Sequence, residues 1–129
     1  MRNRVLIRGV VSFILSHSLA FAADWPTYRA DAARSGHSAE ALPASLKLCW
    51  QYHTPAPRPA WPNSARISYD FVHQPILVGD TVVVGSTVDD SVVALDAASG
   101  QVRWKVFTGG PVRFAPSAWR DRVFAASDD

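Results

Sequence analysis

The sequence predicts an all-β chain built from a repeated unit, and three observations support this prediction. Residues 75–86 align with residues 116–127 at an offset of 41 positions, and both segments have the pattern of two short strands joined by a tight turn. Two further short strands follow the first copy. Residues 94–104 contain the end of one of these strands, a turn, and the start of the next strand, which carries Trp104. A period near forty with four short strands per unit is typical of a β-propeller of four-stranded antiparallel blades.

Turn residues separate the predicted strands, whose apolar positions and β-branched content support the assignment. The first blade is predicted to contain strands at 74–78, 81–86, 91–96 and 101–107, and the next blade begins with strands at 113–119 and 122–127. Gly109-Gly110-Pro111 breaks the pattern between the blades. The sequence stops before a strand equivalent to 92–96 in the first copy. We therefore expect about one complete blade plus the start of the next, as the amino-terminal part of a propeller truncated at its carboxy end, whose missing blades are its closest partners.

Residues 1–22 have the pattern of a secretory signal peptide. Arg2, Arg4 and Arg8 precede a mostly apolar stretch, and Ala20-Phe21-Ala22 forms a small-residue cleavage pattern. Serines interrupt the apolar stretch, which favours a cleaved signal over a membrane anchor. We expect a secreted or periplasmic protein without a transmembrane span after cleavage. The mature chain would carry 10 Lys and Arg against 11 Asp and Glu, and the absence of a basic cluster argues against nucleic-acid binding.

The segment between the signal and the first blade divides into three parts. Residues 23–45 are polar and poorly periodic, so they are predicted to form an irregular lead-in. Leu46, Leu48, Trp50 and Tyr52 then alternate with polar residues, which predicts a half-buried strand. Trp50 matches Trp104 of the first blade. We therefore expect this strand to close the ring by pairing with the last blade, which would protect a sheet edge.

A proline-rich loop at 54–70 is predicted to be an insertion on the first blade, because prolines remove the backbone donors that a sheet needs. Trp61, Tyr69 and Phe71 lie in or beside it. Aromatic side chains on a loop can stack on a sugar or anchor a partner peptide, so these three form a candidate partner-binding loop. The alternative, which we favour, is that they cover the adjacent blade.

The repeats resemble those of the pyrroloquinoline quinone-like (PQQ-like) propellers. That family carries an A-x-D-x-x-T/S-G-x-x-x-W docking motif, which is met here by Ala94, Asp96, Ser99, Gly100 and Trp104. The hairpin 79–86 is also similar to the family's. The resemblance covers roughly 46–129. It implies that Trp104 packs between neighbouring blades, whereas Asp96 and Ser99 stabilise the turn.

The same resemblance leaves the activity open, because the family has two kinds of member. Quinoprotein dehydrogenases bind the quinone and Ca²⁺ on the propeller axis, whereas non-catalytic members include the outer-membrane barrel-assembly lipoprotein and many secreted proteins of unassigned activity. The lead-in at 24–36 is more similar to that secreted group. Under the resemblance, PQQ and Ca²⁺ are expected only if the chain belongs to a dehydrogenase.

No catalytic or metal-binding residue is predicted. The paired acids at 89–90 and 128–129 recur in the turn between the second and third strands, where Asp mostly bonds backbone, so a turn role is favoured over Ca²⁺ ligation. His37, His53 and His73 are too far apart for a local metal motif. Cys49 is the only cysteine, which excludes a disulfide within the sequence.

These observations favour a non-catalytic secreted propeller that acts as a binding or assembly scaffold for a protein or an extracellular polymer. The alternative is the amino-terminal part of a periplasmic, PQQ- and Ca²⁺-dependent quinoprotein dehydrogenase that oxidises an alcohol or a sugar. A third possibility is a propeller fused to an enzyme domain.

Overall fold

The computed structural model describes residues 23–56 and 73–129, and its regular structure is entirely β. The six strands are β1 (Ile76–Val78), β2 (Thr81–Ser86), β3 (Ser91–Asp96), β4 (Val102–Phe107), β5 (Ser117–Trp119) and β6 (Arg122–Phe124). No helix in these two ranges could cross a membrane. The predicted signal peptide, most of the proline-rich loop and the candidate loop residues Trp61, Tyr69 and Phe71 lie outside the described residues.

Strands β1 to β4 form one antiparallel sheet in sequence order, which is the predicted four-stranded blade. Neighbouring strands are joined by short turns, so each strand pairs with the next one along the chain. Between β3 and β4 the register shifts. Ala94 pairs with Trp104, whereas Leu95 pairs with Val102, which leaves Arg103 without a partner in the ladder. Such a bulge turns a side chain away from the regular alternation.

Strands β5 and β6 form a separate hairpin that repeats the register of β1 and β2. Ile76 pairs with Val83 in the first hairpin, and Ser117 pairs with Phe124 in the second, so both partners are shifted by 41 positions. The predicted repeat is therefore confirmed by strand pairing. The predicted fold class, an all-β partial propeller, is confirmed by the same two antiparallel sheets.

The middle strands of the sheet, β2 and β3, are covered on both faces, whereas every residue of β4 is exposed. One face carries the buried residues Ile76, Val83, Val92 and Ala94, which pack with Val112 from the segment that enters the second hairpin. The opposite face carries another buried cluster, against which the half-buried Trp50 and Tyr52 pack; its buried members are Val84, Val93 and Leu95. Adjacent β2 residues thus serve opposite faces, as the period of a strand requires.

The lead-in is attached to both hairpins by backbone hydrogen bonds. Trp25 and Leu77 exchange two of them, at 2.7 and 3.0 Å, which places the lead-in beside β1. The Pro26 carbonyl accepts from Ala118 N of β5 at 2.7 Å. Because proline has no N–H, this contact can run only from β5 to the lead-in. The lead-in contains no described strand, and it bridges β1 and β5.

The predicted strand at 46–52 is not formed, and several others are shorter than predicted. Leu46 and Leu48 are largely exposed, and no described strand lies beside this segment to share a ladder. The alternation instead reflects the packing of Trp50 and Tyr52 on one face of the sheet. The predictions for β2 and β3 are met residue for residue. Strands β1, β5 and β6 have three residues each because both hairpins pair over three positions.

Candidate functional site

The turn between β3 and β4 is built around the carboxylate of Asp96. One of its oxygens accepts hydrogen bonds from Ala98 N, Ser99 N and Ser99 Oγ at 3.1, 2.8 and 2.8 Å. The Asp96 carbonyl also accepts from Gly100 N at 2.8 Å. Gly100 has φ 71°, a conformation that side-chain-bearing residues rarely adopt. The Asp, Ser and Gly of the motif thus satisfy the polar groups of a tight turn.

The guanidinium of Arg103 joins this turn to the turn between β1 and β2. Its two terminal nitrogens donate to the two Asp80 oxygens at 2.7 Å each, and Nη2 donates to Asp96 at 2.6 Å. The fork geometry of arginine suits such paired contacts. The bulge at Arg103 is what directs the side chain out of the ladder. Asp80, Asp96 and Arg103 thus form a charge cluster that links the β1–β2 turn to the β3–β4 turn.

The contacts within this cluster shift the pKa values of its three members. The hydrogen bond from Arg103, followed by that from Thr81, lowers the pKa of Asp80 to about 2. Hydrogen bonds from Arg103 and Ser99 lower the pKa of Asp96 well below its usual range. The same contacts with Asp80 and Asp96 raise the pKa of Arg103. Both carboxyl groups are therefore ionised at neutral pH and already paired.

The turn between β2 and β3 contains a second pair, Asp89 with Lys105. The Lys105 ammonium donates to one Asp89 oxygen, and Ser91 Oγ donates to the other at 3.0 Å. Burial alone would raise the pKa of Asp89, but hydrogen bonds from Lys105, Ser86 and Ser91 outweigh it and lower the pKa to about 2. Asp90 adopts φ 47°, a turn conformation that Asp tolerates. Asp89 thus bonds side chains of the sheet rather than its own backbone.

Trp50 docks on the turn of the first sheet. Its indole Nε1 donates to the Ala97 carbonyl at 2.8 Å. A Cβ placed on Gly100 would lie 2.6 Å from the Trp50 ring, so the ring rests directly on the glycine. Trp50, which matches Trp104 in the sequence, thus packs on the turn between β3 and β4. Its predicted pairing with the last blade stays a prediction.

Trp104 itself lies on β4 and is 40 % exposed. It borders a cleft between the first sheet and the second hairpin, with Val78 and Val83 on one side and Ala118 and Val123 on the other. Its predicted packing between blades stays a prediction. Ala94, which pairs with Trp104 across the sheet, is fully buried.

The remaining titratable side chains that the structure describes include His73, which has structural contacts. Across residues 23–56 and 73–129, no group of three or more His, Cys, Asp or Glu is placed to hold a metal ion. His73 instead links Thr54 to the sheet: its Nε2 lies 3.0 Å from Thr54 Oγ1, and its Nδ1 donates to the Gly85 carbonyl at 3.3 Å. Cys49, the only cysteine in the sequence, is exposed.

Sequence reasoning missed the ordered loop that follows Trp25. Arg29, Ala30 and Arg34 have φ 59°, 77° and 56°, three left-handed residues within six positions. The Asp31 carboxylate holds the loop closed by accepting from Ser35 N at 3.0 Å and Ser35 Oγ at 2.6 Å. The only sequence signal was the Asp-to-Ser spacing, which is common to many turns.

Comparison with known proteins gives one match. A family model described as the glucose/ethanol/alcohol dehydrogenase β-propeller domain (PQQ) matches residues 25–126. Searches of curated proteins and of solved structures gave no match. The matched range includes the lead-in as well as both hairpins, and the register repeat and the Trp50 contact agree with it. The chain therefore belongs to the PQQ β-propeller family.

Proposed function

We propose that the protein is a non-catalytic, exported propeller that acts as a binding or assembly scaffold, presenting its loops to a protein or an extracellular polymer. The observation that carries this proposal is that the acidic and basic side chains around the motif serve the fold. Asp80 and Asp96 are paired with Arg103, and Asp89 is paired with Lys105. A catalytic acid or base would instead face a substrate and have a pKa nearer the working pH.

The second candidate is a periplasmic quinoprotein dehydrogenase acting on an alcohol or a sugar. The description of the matching family model favours it. Such an enzyme needs PQQ, which accepts the electrons, and Ca²⁺, which takes six to eight oxygen ligands. The described acids do not fit such a site, since no three of them are grouped to hold a metal ion, and Asp80, Asp89 and Asp96 are paired with cations. A relation to the barrel-assembly lipoprotein would favour the scaffold.

The deciding experiment is dye-linked oxidation by the full-length protein. We expect no dye reduction with ethanol or glucose after addition of PQQ and Ca²⁺. Omission of PQQ and replacement of Ca²⁺ by Na⁺ are the matched controls. Dye reduction that requires both additions would overturn the scaffold proposal in favour of the dehydrogenase.

Export is tested separately. After cell fractionation, the protein is expected outside the cytoplasm, with a mature amino terminus at Ala23. A cytoplasmic protein that retains Met1 would contradict this part of the proposal.

A further inference from the structure

A groove lies between the loop after Trp25 and the segment that enters β5. It encloses about 510 Å³, within the size range of small-ligand sites. Its lining combines aromatic, polar and cationic side chains. Those that matter here are Thr27, Tyr28, Arg34, Gln74, Phe114 and Ser117.

One wall of the groove is a loop that internal hydrogen bonds hold in place. The loop that supplies Tyr28 and Arg34 is closed by Asp31 and Ser35, and the Gly36 N–H donates to the Arg29 carbonyl at 3.0 Å. Arg34 itself is held in a left-handed conformation. Strained backbone persists only where the surroundings determine it, and it is concentrated at binding sites. The loop therefore fixes the backbone position from which the Arg34 side chain reaches the groove.

Arg34 differs from the arginine of the motif. Arg103 is saturated by Asp80 and Asp96, whereas no described residue accepts a hydrogen bond from the Arg34 guanidinium or pairs with it. The two aromatic side chains of the groove are also available, since Tyr28 is 47 % and Phe114 is 72 % exposed. An unpaired guanidinium beside two exposed rings lacks a partner within the described fold.

We propose that this groove binds a uronic acid unit of an acidic polysaccharide. The Arg34 fork matches a single carboxylate, with two parallel hydrogen bonds. The flat faces of Tyr28 and Phe114 match the C–H faces of a sugar ring, and Gln74 can bond its hydroxyl groups. A nucleic acid would require several cations along the groove. An acidic peptide would pair its carboxylates with Arg34, but Asp and Glu side chains have no flat C–H face to stack on the two rings. This inference rests on the proposed scaffold function and specifies its partner.

The test is titration of the full-length protein with oligogalacturonate, followed by calorimetry. Maltohexaose, which lacks carboxylates, and poly-glutamate, which lacks sugar rings, are the comparison ligands. We expect binding of oligogalacturonate only. Replacing Arg34 by Gln should weaken it roughly 10- to 100-fold, since a charge-assisted contact is lost. Tyr28→Ala and Phe114→Ala should weaken it as well.

Arg122→Gln is the matched control, because Arg122 is an exposed arginine that borders the other cleft. It should leave the affinity unchanged. Arg34→Lys keeps the charge without the fork and should still weaken binding. The unfolding midpoint of each variant separates lost affinity from lost folding. The inference is overturned if oligogalacturonate does not bind, if poly-glutamate binds equally well, or if folded Arg34→Gln binds normally. None of these results bears on dye-linked oxidation, by which the scaffold proposal itself is judged.

Discussion

The two hairpins of the chain have the same register but very different surroundings. Val83 of β2 is 1 % exposed, whereas Phe124, the residue 41 positions later in β6, is 52 % exposed. β2 pairs with β3 as well as with β1, and the segment around Val112 covers one face. β6 pairs only with β5 among the described strands. Hairpin geometry is thus set locally, while burial depends on the strands that come next to it.

The turns of the two hairpins differ in the same way. Gly79 and Arg120 occupy equivalent positions, with φ 56° and 55°. Asp80 is held by Arg103 at 2.7 Å, whereas Asp121, its equivalent, lies 4.0 Å from the largely exposed Arg122. The two turns have the same backbone conformation, but only the first is bonded to another strand, through Asp80 and Arg103.

The largest expected effect tests the difference in burial. Val83→Ala should lower the free energy of unfolding by about 2 kcal/mol, because two buried methyl groups are lost and a cavity remains. Phe124→Ala removes a larger side chain but should cost less than about 1 kcal/mol, since the ring is half-exposed. Urea unfolding measures both. A larger loss for Phe124→Ala would mean that β6 is covered in solution by a further strand of the chain or by a partner.

The second prediction concerns a close contact that only the first unit has. A Cβ on Gly85 would overlap the Val112 side chain, which is itself buried. Gly85→Ala should therefore destabilise the protein by about 1 to 2 kcal/mol through overpacking. At the equivalent, exposed position, Ala126→Gly should change stability by about 0.5 kcal/mol or less. Equal urea midpoints for the Gly85 variant and the wild type would show that Val112 moves aside freely.

A third prediction exchanges the turn residues. Arg120→Gly should stabilise the protein by about 0.5 to 1 kcal/mol, because glycine adopts positive φ without steric cost. Gly79→Ala should destabilise it by about 1 kcal/mol through conformation alone, since nothing lies within 4 Å of the added Cβ. Thermal unfolding at a fixed scan rate compares the pair. If both changes were destabilising, the two turns would not be equivalent.

The smallest expected effect is on acid stability. The pKa of folded Asp80 is about 2, below its ordinary value of 3.8, so its contribution to stability is present above about pH 4. That contribution is lost as the pH falls from about 4 to about 2. Asp80→Asn should reduce the change in urea midpoint over this range, with Asp96 supplying the dependence that remains. Asp121→Asn is the control and should leave the acid profile unchanged, because its ion pair is exposed.

The repeat and the strands of the first sheet could be predicted because they depend on local signals. Alternating valines and the Gly79-Asp80 turn fix the hairpin, and the 41-residue offset fixes its copy. The alternation at Leu46 to Tyr52 shows that one side of the segment is apolar, but a ladder also needs a partner, and none of the described strands lies beside it.

The site was less predictable because long-range backbone contacts leave no side-chain signature. Nothing in the residue types of Trp25 and Pro26 indicates that their backbone groups bond Leu77 and Ala118. The left-handed conformation of Arg34 has no residue-type signal either. The turn roles of Asp96 and Ser99, by contrast, were implied by the family resemblance, and in the structure Asp, Ser and Gly form one local hydrogen-bonded unit.

The bridge made by the lead-in has a consequence for the order of folding. Residue 26 is made early, but its carbonyl is bonded by residue 118, near the far end of the described chain. Contacts of such long sequence separation pay a large loop-closure entropy and form slowly. The lead-in is therefore synthesised well before its bonding partner and is among the last segments to reach its place. Until then the β1 edge is open, and the chain is most vulnerable to proteases and to pairing with another strand.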